Sequence, residues 1–259
     1  MKECKKIISY SFIVLLLWGC QQKKSTPPSE TTAPAVSSEV QNTKADFTYE
    51  YEVRLPQGKK KNFPTLILLH GYGSNEQDLM SFAPAFPEYL IICPQAPIPL
   101  APRKFSWYPL LPTKGGWTYD HAQLQKETQK MAGFIDEMIE HYKADPENVF
   151  LGGFSQGGIM SMTTGLGADR DLKGIICLSG QLYPEFDALV DAATNPIDYP
   201  DFFISHGNKD TVLPASEIKT DAKRMSEKKL NVETFWYDAT HTITHANFEA
   251  LKKWLSTRT

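Results

Sequence analysis

From residue 47 onward the chain alternates between two hydrophobic patterns. Phe47, Tyr49, Tyr51, Val53 and Leu55 alternate with polar neighbours, the period of a strand with one buried face. Continuous apolar runs follow at residues 65–69, 90–93, 149–151, 174–178, 202–204 and 232–236. Runs of this length suit parallel strands covered on both faces. Between them Leu124, Met131, Phe134, Ile135, Met138, Ile139 and Tyr142 recur at steps of three and four, one apolar stripe of a helix. Residues 215–229 and 245–255 are further amphipathic helices by the same pattern. Strands alternating with helices predict one α/β domain over residues 47–259, with a mainly parallel central sheet flanked by helices on both faces.

One stretch breaks the pattern. Residues 94–117 carry six prolines, with Trp107, Tyr108 and Trp117 among them. That many prolines exclude a helix or a central strand. A long irregular segment in a compact domain is usually functional, so it reads as a wall or cap of a substrate site, with Trp107, Tyr108 and Trp117 as pocket residues. The rival reading is a stiff insertion whose aromatic rings pack on the core.

The amino terminus reads differently again. Lys2, Lys5 and Lys6 precede an apolar run from about residue 7 to 18, too short to span a bilayer. A basic start, a short apolar core and a small residue before a break form a secretory signal, assigned to residues 1–19. Leu17-Trp18-Gly19-Cys20 resembles the bacterial lipoprotein box, although Trp18 stands where a small residue is usual. The resemblance implies cleavage before Cys20 and its lipidation, hence an exported protein anchored to a membrane. A plain cleaved signal is the alternative. Residues 20–46, rich in Ser, Thr, Pro and Gln, read as the lipidated cysteine and a disordered tether.

Charge and cysteines change the picture little. The formal charge is −3 and the pI about 6.1, which argues against a nucleic-acid partner. Removing residues 1–19 takes away three lysines and one glutamate and moves the charge to −5. Lipid, not charge, would then hold the body to a membrane. Cys93 and Cys177 sit within apolar runs and read as buried hydrophobes. A disulfide between them is permitted by export but needs close, well-aimed Cβ atoms.

The chemistry gathers in four segments. Gly153-Phe154-Ser155-Gln156-Gly157 fits G-x-S-x-G, with an apolar strand before it and a helical segment after it. That context is a nucleophile elbow, with Ser155 as nucleophile. Serine needs a base to take its proton. In this fold the acid and then the base follow the serine in the chain. His241, in a loop after the last apolar run, fits the base. His245 is the lesser candidate, and His206 precedes the acid and is out of order. Asp210, one short turn after the run at 202–204, fits the acid. The N–H groups of Gln156 and of Tyr72, the latter in LHGYGSNEQDL, are the expected oxyanion donors. His70 reads as a residue shaping that loop. A metal site using His241 and His245 lacks a third ligand, so no metal is expected, and serine-triad chemistry requires no cofactor.

Together LHGYGSNEQDL, Pro94–Pro97, GFSQGG, HGNKDTVLP and HTIT resemble the phospholipase/carboxylesterase family of α/β-hydrolases, in order across residues 50–259. The resemblance implies an α/β-hydrolase fold and a serine hydrolase cleaving small ester or acyl substrates, with Ser155, Asp210 and His241 as the triad and Tyr72 and Gln156 at the oxyanion hole. Thioesters and lysophospholipids fall within its range. Two departures touch the acyl pocket and the His loop: Trp107-Tyr108-Pro109 lacks the acid of the family's Trp-aromatic-Asp element, and His245 replaces a proline. The rival functions are an inactive binding lipoprotein on this fold and a peptidase. The sequence does not speak to oligomeric state.

Overall fold

A computed structural model describes residues 41–43, 47–58, 61–114, 116–167, 171–183, 187–193, 195 and 199–258. The signal at 1–19, Cys20 and most of the tether lie outside the described residues. Each continuous apolar run becomes a strand: β3 (Thr65–Leu69), β4 (Leu90–Pro94), β9 (Val149–Phe154), β10 (Gly174–Leu178), β11 (Asp201–Gly207) and β12 (Val232–Tyr237). Successive side chains of a strand point to opposite faces. Ile67, Leu151, Ile175 and Ile204 therefore enter one core, and Leu66, Phe150, Ile176 and Phe203 enter the other. These six strands pair in parallel in the order β4-β3-β9-β10-β11-β12.

Two antiparallel strands extend the β4 edge, β2 (Tyr51–Arg54) and then β1 (Gln41–Thr43). Here the structure departs from the pattern. Composition assigns residues 41–43 to the tether, yet their backbone pairs with β2, because an edge strand leaves a row of N–H and C=O groups open to pairing. The strand expected over 47–55 is shorter and buried on both faces. Its polar residues survive burial through partners: Glu52 accepts from Gln77 Nε2 at 2.8 Å, and the Arg54 guanidinium donates to the carbonyls of Phe86, Pro87 and Tyr89.

Helices cover both faces. The first core is closed by α1 (His121–Tyr142), α2 (Gln156–Gly167), α3 (Asp187–Ala192) and α4 (Ala215–Glu227). The second is closed by the 3-10 turn Leu79–Ala85 and by α5 (His245–Ser256). The stripe expected on α1 buries Leu124, Met131, Phe134, Ile135 and Met138. Glu127 shares that buried face, which a hydrophobic pattern does not anticipate. It accepts from the Tyr49 hydroxyl at 2.6 Å, from Gln123 Nε2 and from Lys130 Nζ. Cys93 and Cys177 are both free and point into opposite cores, so they do not bridge.

The proline-rich segment is not irregular. It folds as two hairpins, β5 (Ile98–Ala101) with β6 (Lys104–Ser106) and β7 (Leu110–Thr113) with β8 (Gly116–Tyr119). Prolines are tolerated because both strands of a two-stranded ribbon are edges. Trp107 and Tyr108, between the hairpins, are fully buried. The indole N–H donates to the His70 carbonyl at 2.9 Å, which makes burial of a tryptophan affordable. These two rings support the site from beneath and do not form a wall facing solvent. Trp117, on β8, is 71% exposed.

Candidate active site

β9 ends at Phe154 and α2 begins at Gln156, so one residue makes the whole turn. That residue, Ser155, has φ +53°, a strained value for a residue with a side chain. The turn is held by its own N–H, which donates to the Leu178 carbonyl at the end of β10 at 2.9 Å. The helix can start so close only because Gly157 has no side chain: a Cβ there would lie 2.0 Å from the Leu69 carbonyl oxygen. The outcome is a serine lifted above the C-terminal ends of the parallel strands.

His241 and Asp210 reach it from the neighbouring strand ends. Asp210 follows β11, and its turn is strapped to the His241 loop by Asn208 N–H to Tyr237 O (2.7 Å) and Lys209 N–H to Ala239 O (2.9 Å). The Tyr237 hydroxyl, at the end of β12, donates to the Thr242 carbonyl at 2.6 Å and fixes the loop from the other side. The three side chains then form a chain of hydrogen bonds. His241 Nε2 lies 2.8 Å from Ser155 Oγ, and His241 Nδ1 lies 2.6 Å from Asp210 Oδ2. The ring of Phe154 packs on the imidazole with centroids 5.0 Å apart. Asp210 Oδ1 accepts from the N–H groups of Val212 and Leu213 at 2.8 and 2.9 Å. Burial alone would raise the Asp210 carboxyl, but the His241 hydrogen bond and the two backbone donors outweigh it, and it lies below the ordinary aspartate value.

The expected oxyanion donors flank the serine. Gln156 opens α2, and the first amides of a helix have no carbonyl within it to bond. Tyr72 lies in a turn closed by Ser74 N–H to Gly71 O, with Gly73 at φ +75°. A Cβ on Gly71 would sit 3.5 Å from the Ser155 Cβ, so this turn lies directly against the serine. It is pinned to the first hairpin by Gly73 N–H to Phe105 O and Phe105 N–H to Ser74 O. His70 is buried and shapes the loop as expected: Nδ1 donates to the Gly71 carbonyl and Nε2 accepts from the Ala96 N–H. Burial lowers its pKa, which keeps it neutral.

Two residues carry more than their sequence suggests. The Gln156 side chain, also buried, accepts from the Trp107 N–H at 2.9 Å and donates to the Tyr108 carbonyl at 2.8 Å. It ties the linker between the hairpins to the start of α2. His206, out of order as a base, lies 3.1 Å from Asp210 Oδ2, four residues ahead of it in HGNKD. His245 is exposed as the first residue of α5. Among the described residues no group of three or more His, Cys, Asp or Glu is placed to hold a metal ion.

The phospholipase/carboxylesterase family model matches residues 52–259. Acyl-protein thioesterase 1 of Emericella nidulans is 28% identical over 223 residues, covering 76% of this chain and 90% of that protein. Lysophospholipase-like protein 1 of Mus musculus is 28% identical over 219 residues, covering 75% and 86%. Among solved structures, a carboxylesterase from Mesorhizobium loti superimposes with a TM-score of 0.70 at 18% identity, covering 84% of this chain and 98% of that one. The Bacillus cereus carboxylesterase gives 0.67 at 21% identity, covering 83% and 96%. At these identities the two structures speak for the fold, which is that of an α/β-hydrolase. With a family match over nearly all of the described body, the chain belongs to the phospholipase/carboxylesterase family and is a carboxylic ester hydrolase.

Proposed function

We propose that Ser155, His241 and Asp210 are the catalytic triad, and that the chain cleaves acyl esters or thioesters through an acyl-enzyme. The observation that carries this is the continuous hydrogen-bonded path from Ser155 Oγ through both imidazole nitrogens to Asp210 Oδ2. With Nδ1–H donating to Asp210, His241 Nε2 is free to take the serine proton. Oγ then bonds to the acyl carbon, and the carbonyl oxygen becomes an oxyanion facing the Tyr72 and Gln156 N–H groups. As the tetrahedral intermediate collapses, the proton on Nε2 passes to the departing oxygen or sulfur. Water, deprotonated by the same nitrogen, releases the acid and restores Ser155. No step calls for a cofactor.

A thioester substrate is supported by the likeness to acyl-protein thioesterase 1, and a lysolipid by the likeness to lysophospholipase-like protein 1. In Ser155→Ala, p-nitrophenyl acetate turnover is expected to fall by about 10⁴-fold or more, with the thermal transition unmoved. Full turnover in that variant sinks the triad. Paired oxygen and sulfur esters of one acyl chain then settle the leaving group.

The same proposal includes a lipid on Cys20 and attachment to the periplasmic or extracytoplasmic face of a bacterial membrane. Its support is Leu17-Trp18-Gly19-Cys20 following a basic and then apolar segment. Stable anchoring takes two acyl chains or more. Metabolic labelling with an alkyne fatty acid should mark the chain and be lost in Cys20→Ala; equal labelling of both rules the anchor out.

A further inference from the structure

His206 lies at the end of β11 with its side chain 1% exposed. Its Nε2 is 2.8 Å from the Leu213 carbonyl oxygen and 3.1 Å from Asp210 Oδ2. Both oxygens only accept, so Nε2 must carry the proton. Its Nδ1 is buried with no hydrogen-bond partner among the described residues. A second proton there would bury an unpaired donor and a net charge together, so the ring is held neutral. Burial lowers the His206 pKa, the same direction that this geometry requires.

Asp210 therefore accepts three hydrogen bonds and has a fourth N–H close by. Oδ1 takes the Val212 and Leu213 amides and Oδ2 takes His241 Nδ1–H, while His206 Nε2–H, hydrogen-bonded to the Leu213 carbonyl, lies 3.1 Å from the same Oδ2. The titratable groups facing this carboxylate are His206 from β11, His241 from the loop after β12, and Tyr237 at the end of β12. Of the two imidazoles only His241 reaches the serine.

We propose that His206 is a positioning residue of the triad: its neutral Nε2–H holds Asp210 Oδ2 in place and limits how strongly that oxygen favours protonated His241. The inference rests on the triad proposed above. A carboxylate that donates less of its charge to His241 leaves the imidazole easier to deprotonate. Activity needs His241 neutral, so His206 extends activity toward lower pH. Remove its N–H, and Oδ2 becomes a stronger acceptor, the imidazolium gains stability, and activity is lost at higher pH.

The test is the acidic limb of kcat/KM for p-nitrophenyl acetate. In His206→Met the limb should move up by about one pH unit, the size expected for one hydrogen bond to a charged group. In His206→Gln, which keeps an N–H near the same point, the limb should return toward its original place. A purely structural role lowers activity in both without moving the limb, and an unmoved limb in folded His206→Met overturns the inference. Should that variant not fold, ¹⁵N spectra of the unsubstituted protein decide. His206 must remain a neutral Nε2–H ring through the pH range in which activity disappears, and protonation there or an Nδ1–H tautomer overturns it. An active Ser155→Ala would strike the triad itself, whereas an inactive one with an unmoved limb strikes only His206.

Discussion

Ser155 turns through φ +53° because the carbonyl ends of β3 and the start of α2 are nearly in contact, and Gly157 is where that contact is tightest. The obstacle to a side chain there is the Leu69 backbone, which cannot rotate aside as a flexible side chain would. Gly157→Ala should therefore cost about 3 kcal/mol or more, at or above the upper end for overpacking. It should also displace the Gln156 N–H and lower turnover. Gly133→Ala is the control, since a Cβ on that exposed position of α1 meets nothing within 4 Å. Replacing a mid-helix glycine should stabilise by about 0.5–1 kcal/mol. Thermal unfolding with turnover on the same samples checks both, and a neutral Gly157→Ala would mean the elbow has room that the geometry denies. This part of the site was legible beforehand: G-x-S-x-G between a strand and a helix states its own steric reason. His206 was not, because chain order ranks bases and says nothing of a second donor to the acid.

At the scale of elements, legibility followed the physics of burial. Strands covered on both faces leave continuous apolar runs, and all six parallel strands were readable from them. The alternation of β2 reads as a half-exposed strand. Its polar side is buried too, with Glu52 and Arg54 satisfied by Gln77 and by backbone carbonyls from a distant turn. The two hairpins escape the hydrophobic pattern for a similar reason. Proline count excludes a central strand, but a ribbon of two edges tolerates Pro99 opposite Phe105 and Pro112 opposite Trp117. Trp107 and Tyr108 then go inward because the linker between ribbons is clamped by the Gln156 amide and the His70 carbonyl. Such clamps join residues tens of positions apart, and no periodicity encodes them. The Tyr72 loop, the first hairpin, the linker and the start of α2 are in this way one hydrogen-bonded unit beside Ser155.

For the whole molecule, two aspartates tie stability to pH with opposite signs. The Asp210 carboxyl lies below its ordinary value, so its contribution is present above the unfolded pKa and lost as pH falls through the folded one. Asp221, on α4, is pushed up to about 6, first by burial and then by Asp187 and Glu217, against the Leu182 N–H and Arg224. Its native state binds a proton that the unfolded chain gives up near pH 4. Its contribution is therefore full below about pH 4 and is lost as pH rises to about 6, so at neutral pH the ionised carboxylate is a net cost. Asp221→Asn keeps an oxygen for the Leu182 N–H, now 3.2 Å from Oδ2, and carries no charge. It should stabilise the protein at pH 7 by about 1–2 kcal/mol, discounted for partial solvent access, and by nothing at pH 3.5. Denaturant midpoints of the two proteins at both pH values check this. A gain that is the same at both would place its origin in packing and not in the Asp221 charge. A loss at pH 7 would mean that the carboxylate's attraction to Arg224 outweighs its burial.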